Sequence, residues 1–212
     1  MKDVWQMDMV GRTSSERTGY ATQKPEMLLE RILKSCTKDG DLCADFFGGS
    51  GTLAAVAQKM GRNWITCDIG KNAVSGIKKR ALQNQAHFTV LQENSMEENP
   101  GEVNLCIEKR DKSFHVILKG YSLKKEYLKT FGVKEEEAIR DIMSEDSLSL
   151  IDYWSVDFNY NGMAHQPQSV VVREKEMLEE TVEDISSTGL ISVCCVDVFG
   201  NVIYKTLKQA IQ

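Results

Sequence analysis

The chain has 212 residues, of which 42% are hydrophobic and 27% charged, and its formal net charge is −5. This composition is that of a soluble globular protein with enough length for one large domain or two small ones. No apolar stretch approaches the roughly 18–20 residues that a transmembrane helix needs. The N-terminus also lacks the apolar core of a signal peptide, so we expect a cytoplasmic protein without membrane contact.

Charge is distributed unevenly along the chain. Residues 1–87 carry 13 basic and 9 acidic side chains, a net charge of +4, whereas residues 88–212 carry 13 basic and 22 acidic side chains, a net charge of −9. The first part is able to face phosphates, but the second is a poor candidate for extensive DNA contact, which requires clustered lysine and arginine. An ordinary solvated surface is the simpler explanation of both imbalances.

The first 87 residues predict alternating helices and strands. Residues 1–23 are mostly polar and indicate a loop, with a short strand at 4–7. Pro25 then suits the first turn of a helix. The order of the elements implies parallel strands joined by crossover helices, which is an α/β fold. The predicted helices are 25–36, 51–60 and 71–85, and the predicted strands are 42–46 and 64–68.

After residue 87 the pattern changes to short runs in which apolar and polar residues alternate, which predicts a β-rich module with short helices. We therefore expect two domains, residues 1–87 and 88–212. The segment 175–186 is acidic and fits either a helix or a loop. The other predicted elements are a hairpin over 103–118, helices over 122–131 and 134–144, a strand over 148–160 paired with 168–173, and a hairpin of 190–198 with 202–207.

The six cysteines and three histidines show no pattern of disulfides or metal ligands. No two cysteines form a C-x-x-C pair, and Cys43, Cys67 and Cys106 lie inside apolar runs. We expect all the cysteines to be reduced, buried thiols and no metal to be bound.

The most informative stretch is a glycine-rich loop between a predicted strand and a predicted helix, with the sequence Asp45-Phe46-Phe47-Gly48-Gly49-Ser50-Gly51-Thr52. Such a turn lets a ligand approach bare backbone and presents N–H groups at a helix N-terminus. Asp68 ends the next strand, where an acidic side chain is able to accept hydrogen bonds from both hydroxyls of a ribose. Together these features indicate a nucleoside-cofactor site. The glycine spacing fits neither a dinucleotide-binding fingerprint nor a P-loop, because no lysine follows Gly51.

Three segments together resemble the amino-group DNA methyltransferases, which methylate adenine N6 or cytosine N4. They are Thr-Gly-Tyr-Ala-Thr-Gln-Lys-Pro-Glu at 18–26, the loop at 45–52, and Gly-Arg-Asn-Trp-Ile-Thr-Cys-Asp at 61–68. The resemblance is greatest to the adenine-specific enzymes of bacterial restriction–modification systems. It covers residues 1–85 and extends more loosely to 154–162 and 191–201. It implies part of a Rossmann-like sheet that binds S-adenosylmethionine, with methyl transfer that needs no metal.

The resemblance also implies which residues bind the cofactor. Thr22 and Lys24 are expected to hold the methionine carboxylate, Asp45 to accept from the methionine amino group, and Asp68 to hold the ribose. Phe47 is expected to pack against the cofactor, while the neighbouring Phe46 departs from the proline that is commoner in the family. The complete set of expected cofactor-binding residues is Thr22, Lys24, Asp45, Phe46, Phe47, Gly48, Gly49, Ser50, Gly51, Thr52 and Asp68.

The catalytic motif of that family is absent from this sequence. It consists of Asp, Asn or Ser followed by Pro-Pro-aromatic, and its aromatic ring stacks on the flipped base. The three prolines, Pro25, Pro100 and Pro167, are never adjacent. The run Asp157-Phe158-Asn159-Tyr160 is no substitute, because the prolines fix the loop. We therefore assign no catalytic residue and expect the C-terminal, cofactor-binding part of a methyltransferase that is inactive alone.

Such a part has expected partners and two alternatives. It would contact DNA through the intact enzyme, and its open sheet edge would be capped by the missing catalytic half, by self-association or by residues 1–10. One alternative is a non-enzymatic remnant or assembly module whose β-rich tail binds a protein. The other is a nucleotide-dependent enzyme of another class, such as a dehydrogenase, which the loop spacing and the T-x-K-P segment disfavour.

Two further groups of residues have simple expected roles. Lys78, Lys79 and Arg80 are expected at a solvated helix end, where the helix dipole favours cations, with phosphate contact as the alternative. Trp154, Phe158 and Tyr160 are expected in the core of the β-rich module, with base stacking as the alternative.

Overall fold

The computed structural model describes residues 4–91, 100–110, 113–174, 177–184 and 190–208. The chain divides into two compact units, residues 1–91 and residues 92–212. Both units contain helices and strands. Within the described ranges, no helix has the length and apolar character needed to cross a membrane.

The described part of unit 1 (residues 1–91) contains two parallel strands and three helices. The three predicted helices and the predicted strands at 42–46 and 64–68 are confirmed to within two residues at each end. The strands pair in register from Leu42 opposite Asn63 to Asp45 opposite Thr66, which confirms the parallel arrangement. The elements are α1 Glu26–Cys36, β1 Leu42–Asp45, α2 Thr52–Lys59, β2 Asn63–Thr66 and α3 Lys71–Gln83.

The predicted strand at 4–7 is wrong, because residues 4–10 form no regular secondary structure. Trp5 instead packs under a cation of the first helix, with Arg31 Cζ lying 4.4 Å from the centre of its ring. Residues 4–10 therefore do not add a strand to the sheet, so they do not cap its edge by strand pairing. Residues 1–3 lie outside the described residues.

Only one face of the β1–β2 sheet is packed against helices. Cys43 on β1 joins Leu33 of α1 and Val56 of α2 in a buried cluster, and Trp64 of β2 packs against it. Side chains alternate between the two faces of a strand, so Leu42 and Ile65 point to the opposite face. They are 62% and 47% exposed, respectively. Parallel sheets are normally covered on both faces, so this one presents an unusual bare apolar face.

Unit 2 (residues 92–212) contains two antiparallel sheets, with strand orders β3-β4-β7 and β6-β5-β8-β9. The predicted pairings of the first hairpin, of 148–160 with 168–173, and of the last hairpin are confirmed. The elements are β3 Gly101–Arg110, β4 Ser113–Leu123, α4 Lys125–Leu128, α5 Val133–Asp146, a 3-10 helix Ser147–Leu150, β5 Ile151–Tyr160, β6 Ser169–Val172, β7 Thr181–Asp184, β8 Leu190–Asp197 and β9 Val202–Lys208.

Three predictions for unit 2 are wrong in whole or in part. Residues 148–150, predicted as the start of a strand, belong to the 3-10 helix that precedes β5. The segment predicted as a helix over 122–131 begins inside β4, and its helix covers four residues only. The acidic segment 175–186 contains the strand β7, which pairs with β4 so that Glu183 lies opposite His115. The carboxylate of Glu183 lies 3.3 Å from His115 Nε2 and is largely exposed. An edge strand tolerates such solvated charges, and they hide its alternation in the sequence.

The core of unit 2 contains the predicted aromatic residues. Trp154 and Phe158 are fully buried, which confirms them as core residues, and Trp154 Nε1 donates to the carbonyl oxygen of Glu179 at 2.9 Å. Tyr160, at the end of β5, is only half-buried. Asp157 is buried and accepts from the amide nitrogens of Asn159 and Gln166, so it stabilises the turn that follows β5.

The cysteines are less uniformly buried than expected. Cys43, Cys194 and Cys195 are buried free thiols, whereas Cys36 and Cys67 are exposed. The expectation of burial is therefore wrong for these two, and Cys106 is only half-buried. Cys67 follows Thr66 at the end of β2 and shares the uncovered side of the sheet with Ile65, which explains its exposure.

A buried carboxylate organises the turn between β8 and β9. Asp197 is fully buried, and its oxygens accept from the Tyr121 hydroxyl at 2.8 Å, from Asn201 Nδ2 at 2.8 Å and from the Phe199 amide at 3.0 Å. Burial raises the pKa of Asp197, although these donors act in the opposite direction. The hydroxyl of Tyr121 thus ties β4 to the β8–β9 turn.

Removing that hydroxyl should destabilise unit 2. We expect Tyr121→Phe to lower the free energy of unfolding by about 1–3 kcal/mol, because a buried acceptor loses one of its donors. The matched control is Tyr160→Phe, at a half-buried strand end, with an expected change of about 0.5 kcal/mol or less. Urea unfolding followed by circular dichroism measures both variants. Equal changes for the two would contradict the role given to the Tyr121–Asp197 hydrogen bond.

Candidate functional site

The glycine-rich loop passes so close to β2 and α3 that side chains would not fit. A Cβ atom at Gly48 would lie 2.2 Å from Thr66 Oγ1 and 3.3 Å from the carbonyl oxygen of Cys67. A Cβ atom at Gly51, whose φ is +69°, would lie 2.9 Å from Ile77 Cγ1. Glycine is therefore required here by packing and, at Gly51, also by the backbone conformation.

Three glycine amide groups of the loop are bonded inside the protein. Gly48 N donates to the carbonyl oxygen of Cys67 at 2.8 Å, Gly49 N to Asp68 Oδ2 at 2.8 Å, and Gly51 N to the carbonyl oxygen of Gly48 at 2.8 Å. The expectation that the turn presents its N–H groups to a ligand is therefore wrong for these three. The bonds of Gly48 and Gly49 join the loop to the residues that follow β2, and the bond of Gly51 closes a turn within the loop.

Two carboxylates lie at the carboxyl ends of the parallel strands. Asp68, just beyond β2, accepts from Gly49 N through Oδ2 and from Gly70 N through Oδ1, both at 2.8 Å. Asp45, the last residue of β1, accepts from Phe47 N through Oδ1 at 3.0 Å. A carboxylate oxygen has two lone pairs, so both groups keep acceptor capacity for a ligand. Both side chains are half-buried.

The two loop phenylalanines are strongly exposed. Phe46 is 65% and Phe47 is 91% exposed, and Ile69, beyond the end of β2, is fully exposed. All three follow the carboxyl ends of the paired strands β1 and β2. Exposed large apolar side chains are a common feature of surfaces that bind a ligand or another protein segment.

The segment around Thr22 lies against the glycine-rich loop. The Thr52 hydroxyl donates to the carbonyl oxygen of Lys24 at 3.2 Å. The ring of Tyr20 lies over Gly49, where an added Cβ atom would be 3.0 Å from its Cε1. Thr22 and Lys24 are exposed, and Lys24 Nζ donates to the carbonyl oxygen of Thr22 at 3.2 Å. The fold therefore brings this segment and the loop together.

Ser50 and Thr52 are buried and bind one another. Their hydroxyl oxygens are 2.9 Å apart, and Thr52 Oγ1 also accepts from Arg80 Nη1 at 3.3 Å. Both hydroxyls therefore contribute to the packing of the loop against the segment at 20–24.

Arg80 has a role that the sequence analysis missed. Its side chain is buried, Nη1 donates to the carbonyl oxygen of Ser50 at 3.0 Å, and Nη2 donates to Glu26 Oε1 at 2.6 Å. The expectation of a solvated helix end or a phosphate contact is wrong for Arg80. Arg80 lies seven residues after Ala73 and three after Ile77, so it shares their buried face of α3. This helical spacing was a signal that the side chain of Arg80 points into the protein.

Glu26 is shared by two cations. Lys59 Nζ donates to Glu26 Oε2 at 2.7 Å, opposite the Arg80 contact to Oε1. Burial alone would raise the pKa of Glu26, but the hydrogen bonds from Lys59 and Arg80 outweigh it and lower the pKa below its ordinary value. Glu26 is therefore ionised at neutral pH and pairs α1 with α2 and α3.

The loop packing leads to a direct test at two glycines. We expect Gly51→Ala to destabilise unit 1 by about 1–3 kcal/mol more than Gly61→Ala, because the new methyl group meets Ile77. Gly61 has nearly the same φ of +70°, but nothing lies within 4 Å of its added Cβ atom. The Gly61→Ala variant therefore measures only the free-energy cost of placing alanine at a positive φ. Urea unfolding followed by circular dichroism compares the two. Equal losses would contradict the crowded loop.

Comparison with known proteins identifies the first part of the chain. Residues 1–79 match the family model described as DNA methylase, of the N6/N4 type. The type II methyltransferase M2.DpnII of Streptococcus pneumoniae is 42% identical over 80 residues, which are 38% of this chain and 30% of that protein. The DNA adenine methyltransferase YhdJ of Escherichia coli is 34% identical over 87 residues, which are 41% of this chain and 29% of that protein.

A solved structure, the crystal structure of the M1.HpyAVI–SAM complex, is also similar. It is 33% identical, and the match covers 33% of this chain and 34% of that one with a TM-score of 0.32. Residues 1–79 are thus similar to the amino-group DNA methyltransferases of the restriction–modification type. It spans less than a third of the length of the curated relatives named here.

Proposed function

We propose that residues 4–91 are the cofactor-binding part of an S-adenosylmethionine-dependent DNA methyltransferase with a Rossmann-like sheet. The observation that carries this proposal is that three features meet at the carboxyl end of a parallel strand pair. They are the glycine-rich loop, Asp68 and the segment at 20–24. Ligands of open α/β sheets bind at that end of the strands. The family match over residues 1–79 supports the same conclusion.

The side chains present fit the chemistry of S-adenosylmethionine. Its methionine end is a zwitterion, which needs an acceptor for its ammonium group and a cation for its carboxylate. In our proposal, Asp45 accepts from the ammonium group and Lys24, with Thr22, holds the carboxylate. Asp68 holds the ribose with its remaining lone pairs while it keeps Gly49 in place. When bound, the cofactor supplies an electrophilic methyl group.

The aromatic residues complete the proposed site. Phe47 is almost fully exposed and is free to pack against the apolar part of the cofactor. Tyr20 lies over Gly49, so a cofactor that reaches the backbone of Gly49 must displace this ring or pack beside it.

The proposed substrate of the whole enzyme is an exocyclic amino group of a base flipped out of DNA, with adenine N6 favoured over cytosine N4. The resemblance is greatest to adenine-specific enzymes, and one relative is named a DNA adenine methyltransferase. An enzyme that modifies chromosomal DNA would act in the cytoplasm.

Catalysis requires residues beyond these 212. The sequence has no adjacent prolines, so the Pro-Pro-aromatic motif must come from another segment of a methyltransferase. The bare apolar face with Leu42 and Ile65 supports this proposal, because a parallel sheet is stable when both of its faces are covered. The catalytic half is the occupant that we propose, and self-association through the same face is the alternative.

Titration calorimetry tests the cofactor site. We expect saturable binding of S-adenosylmethionine and no binding of NAD. Asp68→Ala should weaken binding at least about tenfold, since it removes the ribose acceptor and releases the loop (about 1.4 kcal/mol).

The matched control is Asp41→Ala. Like Asp68, Asp41 accepts a hydrogen bond from a backbone amide, in this case the amide of Lys38. Asp41 precedes β1, at the opposite end of the sheet, so the affinity should not change. Equal binding by the Asp68→Ala variant, or tight binding of NAD, would contradict the proposed site. No binding by the folded chain would favour a remnant or a partner-binding module.

Complementation tests the missing half. A polypeptide that carries the Pro-Pro-aromatic half of a homologous methyltransferase is mixed with this chain, S-adenosylmethionine and DNA. We expect methyl transfer from the mixture only, and loss of transfer when Leu42→Asp and Ile65→Asp charge the bare face.

The control for this experiment is Val133→Asp, which charges an exposed apolar site in unit 2 and should leave transfer unchanged. Retained binding of the cofactor by the double variant shows that its site is intact. Transfer by the chain alone, or undiminished transfer by the double variant, would contradict the proposal.

A further inference from the structure

A single buried guanidinium contacts both segments that the proposed cofactor site requires. Arg80 donates to the carbonyl oxygen of Ser50 in the glycine-rich loop and to the carboxylate of Glu26 at the start of α1. Glu26 lies two residues after Lys24, and the backbone oxygen of Lys24 accepts from Thr52. The loop and the segment that ends at Lys24 are therefore held by a common set of hydrogen bonds.

We propose that Arg80 and Glu26 are positioning residues that fix the distance between the glycine-rich loop and Lys24. The proposed function assigns the amino group of the methionine moiety to Asp45, the first residue of the loop, and its carboxylate to Lys24. A correct spacing between these segments is therefore needed for both ends of the zwitterion to be held at once. This inference rests on the proposed function and adds two residues that do not themselves touch the cofactor.

The geometry of the guanidinium explains why arginine is required. Its planar fork presents nitrogens in two directions, so Nη1 reaches Ser50 and Thr52 while Nη2 reaches Glu26. A lysine ammonium is a single point charge and is not able to span these acceptors in the same way. Arg80→Lys therefore keeps the charge and removes the bridge.

Glu26 is needed to orient Arg80, because it is the carboxylate between Arg80 and Lys59. Glu26 is the carboxylate that Arg80 and Lys59 share, and its side chain is only 17% exposed. Without Glu26, the buried cation Arg80 would lose the carboxylate that orients it, whereas Lys59 is half-exposed and would remain solvated. Glu26→Gln should therefore act on the loop through Arg80.

Titration calorimetry with S-adenosylmethionine, combined with urea unfolding, separates positioning from stability. We expect Arg80→Lys to raise the Kd about tenfold. The matched control is Lys59→Met, which removes the other cation of Glu26 and leaves the contact of Arg80 with Ser50. Lys59→Met should lower the unfolding midpoint and leave the Kd within about twofold of the unchanged chain.

A measurement on the cofactor-free protein tests the role of Arg80 even if the proposed function fails. Amide exchange followed by NMR should show faster exchange at Gly49 and Gly51 in the Arg80→Lys variant than in the Lys59→Met variant. If the unchanged chain fails to bind S-adenosylmethionine, the proposed function fails, and the amide exchange alone then decides whether Arg80 positions the loop. Unchanged exchange in Arg80→Lys, or equal effects of the two variants on exchange and Kd, would overturn the inference.

Discussion

The close contact between the glycine-rich loop and the end of β2 is the constraint on which unit 1 depends. Gly48 lies against Thr66 and Cys67 with no space for a side chain, and Asp68 accepts from the amide of the neighbouring Gly49. This contact fixes where α2 begins and sets the two acidic side chains, Asp45 and Asp68, at one edge of the sheet. A ligand at that edge meets a preformed set of acceptors, which lowers the entropic cost of binding.

The two units differ in how complete their cores are. In unit 2, two antiparallel sheets share one apolar core, with Trp154 and Phe158 fully enclosed. In unit 1, a pair of four-residue strands is covered on one face only, and Leu42 remains exposed on the other. A two-stranded sheet is marginal by itself. This contrast is why we propose that the catalytic half of a methyltransferase covers the exposed face of unit 1.

Much of the fold could be predicted from the sequence, because periodicity and turn residues are local signals. The helices and strands of unit 1 and the hairpins of unit 2 follow from them. The strand β7 could not be predicted, since its exposed Glu183 suits an edge position that only the neighbouring β4 defines. The burial of Arg80 was missed for a related reason. A charged residue is assigned to the surface unless its partner is known, and Glu26 is 54 residues away in sequence. The expected site segments do converge, but the position of Tyr20 over Gly49 depends on tertiary packing.

The most direct test of the account is a two-dimensional NMR titration of the isotope-labelled chain with S-adenosylmethionine. We expect saturable shifts at the amides of Gly49 and Gly70, which bind Asp68, and at Lys24, with unit 2 unchanged. Shifts confined to unit 2, or no shifts from a folded chain at millimolar cofactor, would contradict the assignment of these segments to a cofactor site.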